Sequence, residues 1–343
     1  MRKIIKRILL GFLLLIFICL TGLLANNLIL RAVYSRYVTD ADTLSKDELT
    51  QVKEVYDYLE AEGTKLLPGF DGKNIDLIVF NHAYEFLICN GDADNNWEFL
   101  EENEALGKNI YRRNADNSQA FAVNTNGEWV GSMSTRKNFV KSITNTLGEA
   151  GVFGYLIPLQ VFATDNEHYK GLIIHEMTHA LQAIQIEPRL IKDQTISNVS
   201  SKYDNNTRYQ ELIREEAKYI EKALKSESLD ETTVYAKHFL VLRKQRREES
   251  NMTSQEIRTE KEFEWLEGLA RYTEYVSSAK SKSILRGNLD NIENKMNEGG
   301  DERFYALGMA QALVLDKLGY DWKQTVFTEN FTFEDTLEQA LTK

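Results

Sequence analysis

The chain has 343 residues, 43% of them apolar, which suffices for one large domain or two modest ones and excludes disorder of the whole. Its formal net charge is −11, and beyond Arg31 there are 36 basic against 52 acidic residues, so nucleic acid is excluded as an expected partner. Of the two cysteines, only Cys89 lies beyond the apolar N-terminus; Cys19 sits inside it, so no intramolecular disulfide is expected in the body.

Arg2, Lys3, Lys6 and Arg7 precede an uncharged run from Ile8 to Leu30. A helix over 8–30 would be roughly 34 Å long, enough to cross a bilayer core. The run exceeds the apolar region of a signal peptide, about 7 to 15 residues, and cleavage after Ala25 would put Leu23 where a small residue is needed. The segment is therefore read as a single-pass anchor in the cell membrane, with secretion after cleavage as the alternative. The basic stub 1–7 keeps the N-terminus in the cytoplasm and places the body outside the membrane.

A helix is expected near 45–62, where Ser45 and Glu48 make a capping-box pattern and Leu49, Val52, Val55, Tyr56 and Leu59 form an apolar stripe. Strand signals follow in IDLIVF (75–80), FAVNTNGEWVGSM (121–133) and YLIPLQVFA (155–163), with Asn126-Gly127 as a hairpin turn. The next helix starts at Thr164 or Asp165 and runs to about Ile186, ahead of Pro188. Later helices are expected near 207–226, 231–248, 253–283, 302–319 and 333–342. Within them, Arg243, Lys244, Arg246 and Arg247 beside Glu248 and Glu249 read as a solvated face. The order gives an α+β body: a mixed-sheet lobe over 45–187, then a helical lobe over 205–343.

The octapeptide HEMTHALQ (175–182) stands out. His175 and His179 are one helical turn apart on one face, a spacing that lets two imidazoles share a zinc ion. Glu176 projects about 100° away, within reach of a water at that ion without being a ligand. Leu172, Ile173, Ile174, Met177, Ala180, Leu181 and Ile184 are expected to bury the helix, and buried imidazoles need partners. Gln185 occupies the place of a third histidine, so the third ligand comes from elsewhere, from His238, Glu215, Glu216 or the stretch 262–275.

Glu267 is the preferred candidate. Thr253 and Glu256 cap a helix expected to run to about 283, and Gly268 in its middle suggests close approach of another backbone, such as the metal-binding helix. Arg271 and Glu274 fall on the same face as Glu267, suited to supporting the ligands.

The pair His175-Glu176-x-x-His179 and WLEGLARYTEY resembles the gluzincin branch of the zincin metallopeptidases, over about residues 155–187 and 253–283. The resemblance implies a zincin-like fold, one zinc ion per chain on His175, His179 and Glu267, and Glu176 as general base in hydrolysis of a peptide or protein substrate. Tyr272 and Tyr275 are read as packing tyrosines, with a role as oxyanion donors as the alternative. The spacing departs from compact members, since 88 residues separate His179 from Glu267, which keeps Glu215 and Glu216 open. A rival class is a catalytically inactive zincin-fold binding or scaffolding protein at the cell surface.

Overall fold

The computed structural model describes residues 2–116, 118–125, 127–162, 164–194 and 202–342. The chain opens with α1 (Arg2–Tyr34), then α2 (Lys46–Tyr58), a π turn to Gly63 and the short α3 (Thr64–Leu66). Ser45 caps α2 in the expected reciprocal arrangement with Glu48. Part of α1, Gly11–Tyr34, is long and apolar enough to cross a membrane. Cys19 is exposed on it, whereas Cys89 is buried, and both are free thiols.

Six strands follow: β1 (Leu77–Phe80), β2 (Tyr84–Cys89), β3 (Glu98–Asn103), β4 (Lys108–Asn114), β5 (Phe121–Thr125) and β6 (Glu128–Ser134). They form one mixed sheet in the order β3-β4-β2-β1-β6-β5, in which only β1 and β6 run parallel. Alternation sorts the sheet's side chains onto two faces. Leu77, Val79, Phe86, Ile88, Ile110 and Met133 join the main core, while Ile78, Leu87, Cys89, Tyr111 and Val130 pack with Trp97 on the other side. The β5–β6 connection contains the expected turn, with Gly127 at φ +80; Asn126 lies outside the described residues.

After the sheet come α4 (Arg136–Glu149), α5 (Val152–Leu156) and a 3-10 turn (Leu159–Phe162). Residues 155–162 are thus not a strand, and Ala163 lies outside the described residues. The Tyr155 and Ile157 carbonyls bond to the Asn27 side chain of α1 rather than to a strand. The long α6 (Asn166–Gln194) lies across the main-core face of β5 and β6 and breaks its helical geometry at Ile186, two residues before Pro188. Asp165 caps it, its carboxylate accepting the His168 N–H at 2.8 Å.

The rest is helical: α7 (Thr207–Lys225), α8 (Leu229–Glu249), α9 (Ser254–Ser277), α10 (Ile284–Asn288), α11 (Ile292–Glu298), α12 (Glu302–Lys317) and α13 (Phe333–Ala340). α9 is central, packed between α6 and α12, and ends at Ser277 rather than near 283. The observed architecture is α+β, as read from the order of elements.

The run Arg243 to Arg247 departs from expectation. Lys244 alone is strongly exposed, and Arg243, Arg246 and Arg247 are buried between α7, α9 and α13. Arg246 bonds Glu216 at 2.5 Å and Glu260 at 2.6 Å; Arg247 bonds Glu260 at 3.0 Å and Glu334 at 2.8 Å; Arg243 pairs with Glu264. The face is not solvated because four glutamates, distant in sequence, supply the partners that burial of a charge requires.

Candidate metal centre

α6 and α9 meet at glycine, though not the one the sequence singles out. A Cβ on Gly171 of α6 would lie 3.0 Å from the Glu274 carbonyl and 2.8 Å from the Ser278 Cβ. Gly268 instead faces Gly308 of α12, where an added Cβ would sit 2.5 Å from the Gly308 Cα. The glycine of α9 therefore admits α12, and the carboxylate beside it turns the other way, toward α6. On the sheet side, Gly131 of β6 admits the backbone of Met177, where an added Cβ would lie 3.0 Å away.

Between the two helices His175, His179 and Glu267 converge, all buried, with one potential ligand atom each and these atoms within 4.8 Å of one another. The Oε2 of Glu267 lies 3.6 Å from His175 Nε2 and 3.5 Å from His179 Nε2. The outer nitrogens are engaged. His179 Nδ1 is 2.9 Å from Gln182 Oε1, and the Gln182 amide nitrogen donates to the Trp265 and Leu266 carbonyls, both at 3.0 Å. That orientation leaves the Gln182 oxygen only as an acceptor, so His179 carries its proton on Nδ1. His175 Nδ1 faces a carboxylate, Glu274 Oε2, at 3.1 Å, and donates likewise. Both Nε2 atoms therefore face the place that Glu267 faces, and each offers a lone pair there when its imidazole is neutral.

Glu274 is a hub. Its second oxygen is 3.2 Å from His168 Nε2, and Arg271 donates to its first at 2.9 Å. His168 Nδ1 lies 3.1 Å from the Ser283 hydroxyl, so both ring nitrogens of this buried histidine are engaged. Burial opposes ionisation of Glu274, but Arg271, His168 and His175 outweigh it and hold the carboxyl well below its usual range. Glu267 is likewise pulled down against burial, by His179 and His175. Burial also opposes a charge on His175, yet Glu267, Glu274 and Glu176 push its pKa up to about 10. Glu176 itself is half-buried, and that desolvation raises its carboxyl despite the two histidines.

The charges suit a divalent cation. With neutral imidazoles, Arg271 stands against Glu176, Glu267 and Glu274, which leaves a surplus of two negative charges in a buried place. A nitrogen-nitrogen-oxygen donor set matches a three-ligand metal site that retains an open position.

The other sequence candidates lie elsewhere. Glu216 is buried against Arg246 and Arg243, Glu215 pairs on the surface with Lys218 at 3.3 Å, and His238 stacks on Tyr219 with its Nδ1 bonded to the Val234 carbonyl. The Tyr272 hydroxyl donates to Asp316 at 2.6 Å and that of Tyr275 to Asp290 at 2.7 Å, so both serve packing. Tyr305 of α12 escaped the sequence reading. Burial and the charges of Glu267 and Glu302 hold its phenol protonated far above its ordinary range, and Arg271 lies over its ring. No local motif marks it; only the packing of α12 on α9 brings it near.

Comparison with models of protein families, with curated proteins and with solved structures returned no match. What fold and site define is an α+β protein with a buried two-histidine, one-glutamate group that can hold a metal ion.

Proposed function

We propose that the protein is a membrane-anchored zinc metallopeptidase of zincin type, acting outside the membrane on peptide or protein substrates. The observation that carries this reading is the direction of the donors: two Nε2 atoms and one carboxylate oxygen face a common point, with Glu176 on the same helix beside it. His175, His179 and Glu267 are the residues that would hold the ion. A zinc ion bound there supplies Lewis acidity, lowering the pKa of a water and polarising a carbonyl.

The chain's own groups do the rest. Glu176 takes the proton of the attacking water on its carboxylate and hands it to the departing amine nitrogen. Its desolvation favours this role, because a carboxylate with a raised pKa is a better base and, once protonated, a competent acid. The Tyr305 phenol, protonated across the working pH range, donates to the oxygen on which charge develops. The outer edge of β5 takes an extended substrate by backbone pairing: β5 ends the sheet, and its Phe121 ring lies 4.4 Å from that of His179. α1 acts as the anchor, with the body on the side opposite the basic N-terminus.

The test combines metal analysis with hydrolysis of an unfolded protein. Wild type should carry about one zinc per chain and cleave, a chelator should abolish cleavage and added zinc restore it. Glu176→Ala should retain the metal and lose about 10²- to 10⁴-fold in rate. Zinc without Glu176-dependent hydrolysis of any peptide would favour the scaffolding alternative, and a chain that binds no zinc would end both.

A further inference from the structure

Between α4 and α6 the chain turns its apolar side chains outward and its backbone carbonyls inward. Phe153 is 79% exposed, and Leu156 and Ile157 are each 38% exposed. Behind them, α5 is too short to pair its own last carbonyls, and α1 supplies the donors. Asn27 Nδ2 donates to the carbonyls of Tyr155 at 2.7 Å and Ile157 at 2.9 Å, and its Oδ1 accepts the Leu159 N–H at 3.1 Å. Arg31 donates to the carbonyls of Gly154 and Thr144, both at 3.0 Å, with its guanidinium over the Tyr155 ring. Asn27, a polar residue in an apolar helix, is fully buried by this arrangement.

A surface loop in water needs no such provision, since water satisfies its carbonyls. Beside hydrocarbon an unpaired backbone group costs several kcal/mol, so its partners must come from protein. Helix length indicates the depth. At about 1.5 Å per residue, a hydrocarbon core of about 30 Å entered near Ile8 is left about 20 residues later, near Leu28. Asn27 and Arg31 straddle that level, and Tyr34, Tyr37 and Tyr155 stand at the same end of α1, as aromatic rings do at a membrane boundary. The outward side chains also continue the exposed apolar surface of α1 at Leu24, Leu28, Ile29 and Val33.

We propose that residues 151–162 form a second membrane-contacting element, resting in the boundary layer of the bilayer and locked to α1, which fixes the orientation of the body on the membrane. The proposal rests on reading α1 as a span. Its occupant is lipid, because the patch is continuous with the lipid-facing surface of that helix. The metal-bearing α6 starts four residues after Phe162, so the candidate site inherits the orientation.

The test uses the full chain in phosphatidylcholine vesicles carrying nitroxide-labelled lipids, with a fluorophore on one cysteine at a time. Native Cys19 reports the span. Phe153→Cys and, separately, Ile157→Cys, each in a Cys19→Ser background, report the proposed element, and Val241→Cys on the exposed face of α8 is the control. Cys89 stays unlabelled, being buried with its thiol pushed up to about 11 by that burial. Quenching is expected at Cys19 chiefly by deep nitroxides, at 153 and 157 chiefly by shallow ones, and not at 241. If 153 and 157 behave like 241 while Cys19 is quenched, the element is refuted and the span stands. An unquenched Cys19 would remove the span reading and this proposal with it.

Discussion

Along α9, Glu260 and Glu264 meet arginines, whereas Glu267 and Glu274, further along, meet histidines. Both groups are buried and hydrogen-bonded, yet they differ in what remains unfilled. In the first, Arg243, Arg246, Arg247 and Lys261 stand against Glu216, Glu260, Glu264, Glu334 and Asp335, so that each carboxylate meets a cation. Guanidinium has no lone pair to offer and does not deprotonate, so this cluster is closed to further ligands. In the second, imidazole donates from one nitrogen and keeps a lone pair on the other, and the single Arg271 leaves negative charge in excess. One helix thus carries a cluster that holds the helical part together and another with room for a cation.

The comparison breaks most sharply at Glu267. Its replacement by alanine removes one of three donors, and metal content should fall from about one per chain to a small fraction, beyond the roughly 10- to 100-fold loss of affinity typical of removing an outer partner. Glu216→Ala should do the opposite. It strands Arg246 in the interior and should cost about 3 to 5 kcal/mol in denaturant unfolding, while the folded fraction binds metal as wild type does. Equal effects of the two changes on metal affinity would erase the distinction drawn between the clusters.

Glu274→Gln sharpens it further. The amide keeps the shape but loses the charge that orients His175 and pairs with Arg271, so metal affinity should drop about 10- to 100-fold with the fold intact. Isothermal titration with zinc and far-ultraviolet circular dichroism separate the two readouts. An unchanged affinity would reduce Glu274 to a structural counter-ion for Arg271 and His168.

The two regions were unequally legible in the sequence. Local chemistry is written locally: the cap at Asp165, the one-turn spacing of His175 and His179, and the capping box of α9 all involve neighbours a few residues apart. Gly268 draws attention to its neighbour Glu267, yet that glycine admits α12, and Glu267 approaches the two histidines from α9 without help from it. The arginine cluster could not be read, because Arg246 draws its partners from Glu216 and Glu260, and a charged run whose partners are remote looks like a solvated one. Strand β3, EFLEEN, lacks buried residues and is an edge, so no two-residue period marks it. The apolar stretch 155–162 resembles a strand in composition, but Asn27 of α1 takes its Tyr155 and Ile157 carbonyls while Leu156 and Ile157 face outward, a tertiary arrangement that no local pattern marks.

The smallest effect concerns protons, and it distinguishes the clusters by sign. Glu260 and Glu334 are held at about 2, each against its own burial, by arginines. Lowered below the unfolded value, they contribute stability that is complete above about pH 4.5 and is lost as pH falls toward 2. His175 is raised, to about 10, so in metal-free protein its charge contributes stability that is complete below its unfolded value near 6.5 and is lost as pH rises through 10. Thermal unfolding in a chelator should therefore decline on the alkaline side by roughly a few degrees between pH 7 and 10, and His175→Gln should flatten that decline. With zinc bound the decline should also disappear, since a ligand nitrogen loses its proton to the solvent when its lone pair goes to the metal, and binding at pH 7 should release close to one proton per chain, measurable in two buffers of different ionisation enthalpy. A zinc-loaded protein with the same alkaline decline, and no proton released, would mean that the ion is held somewhere other than at His175.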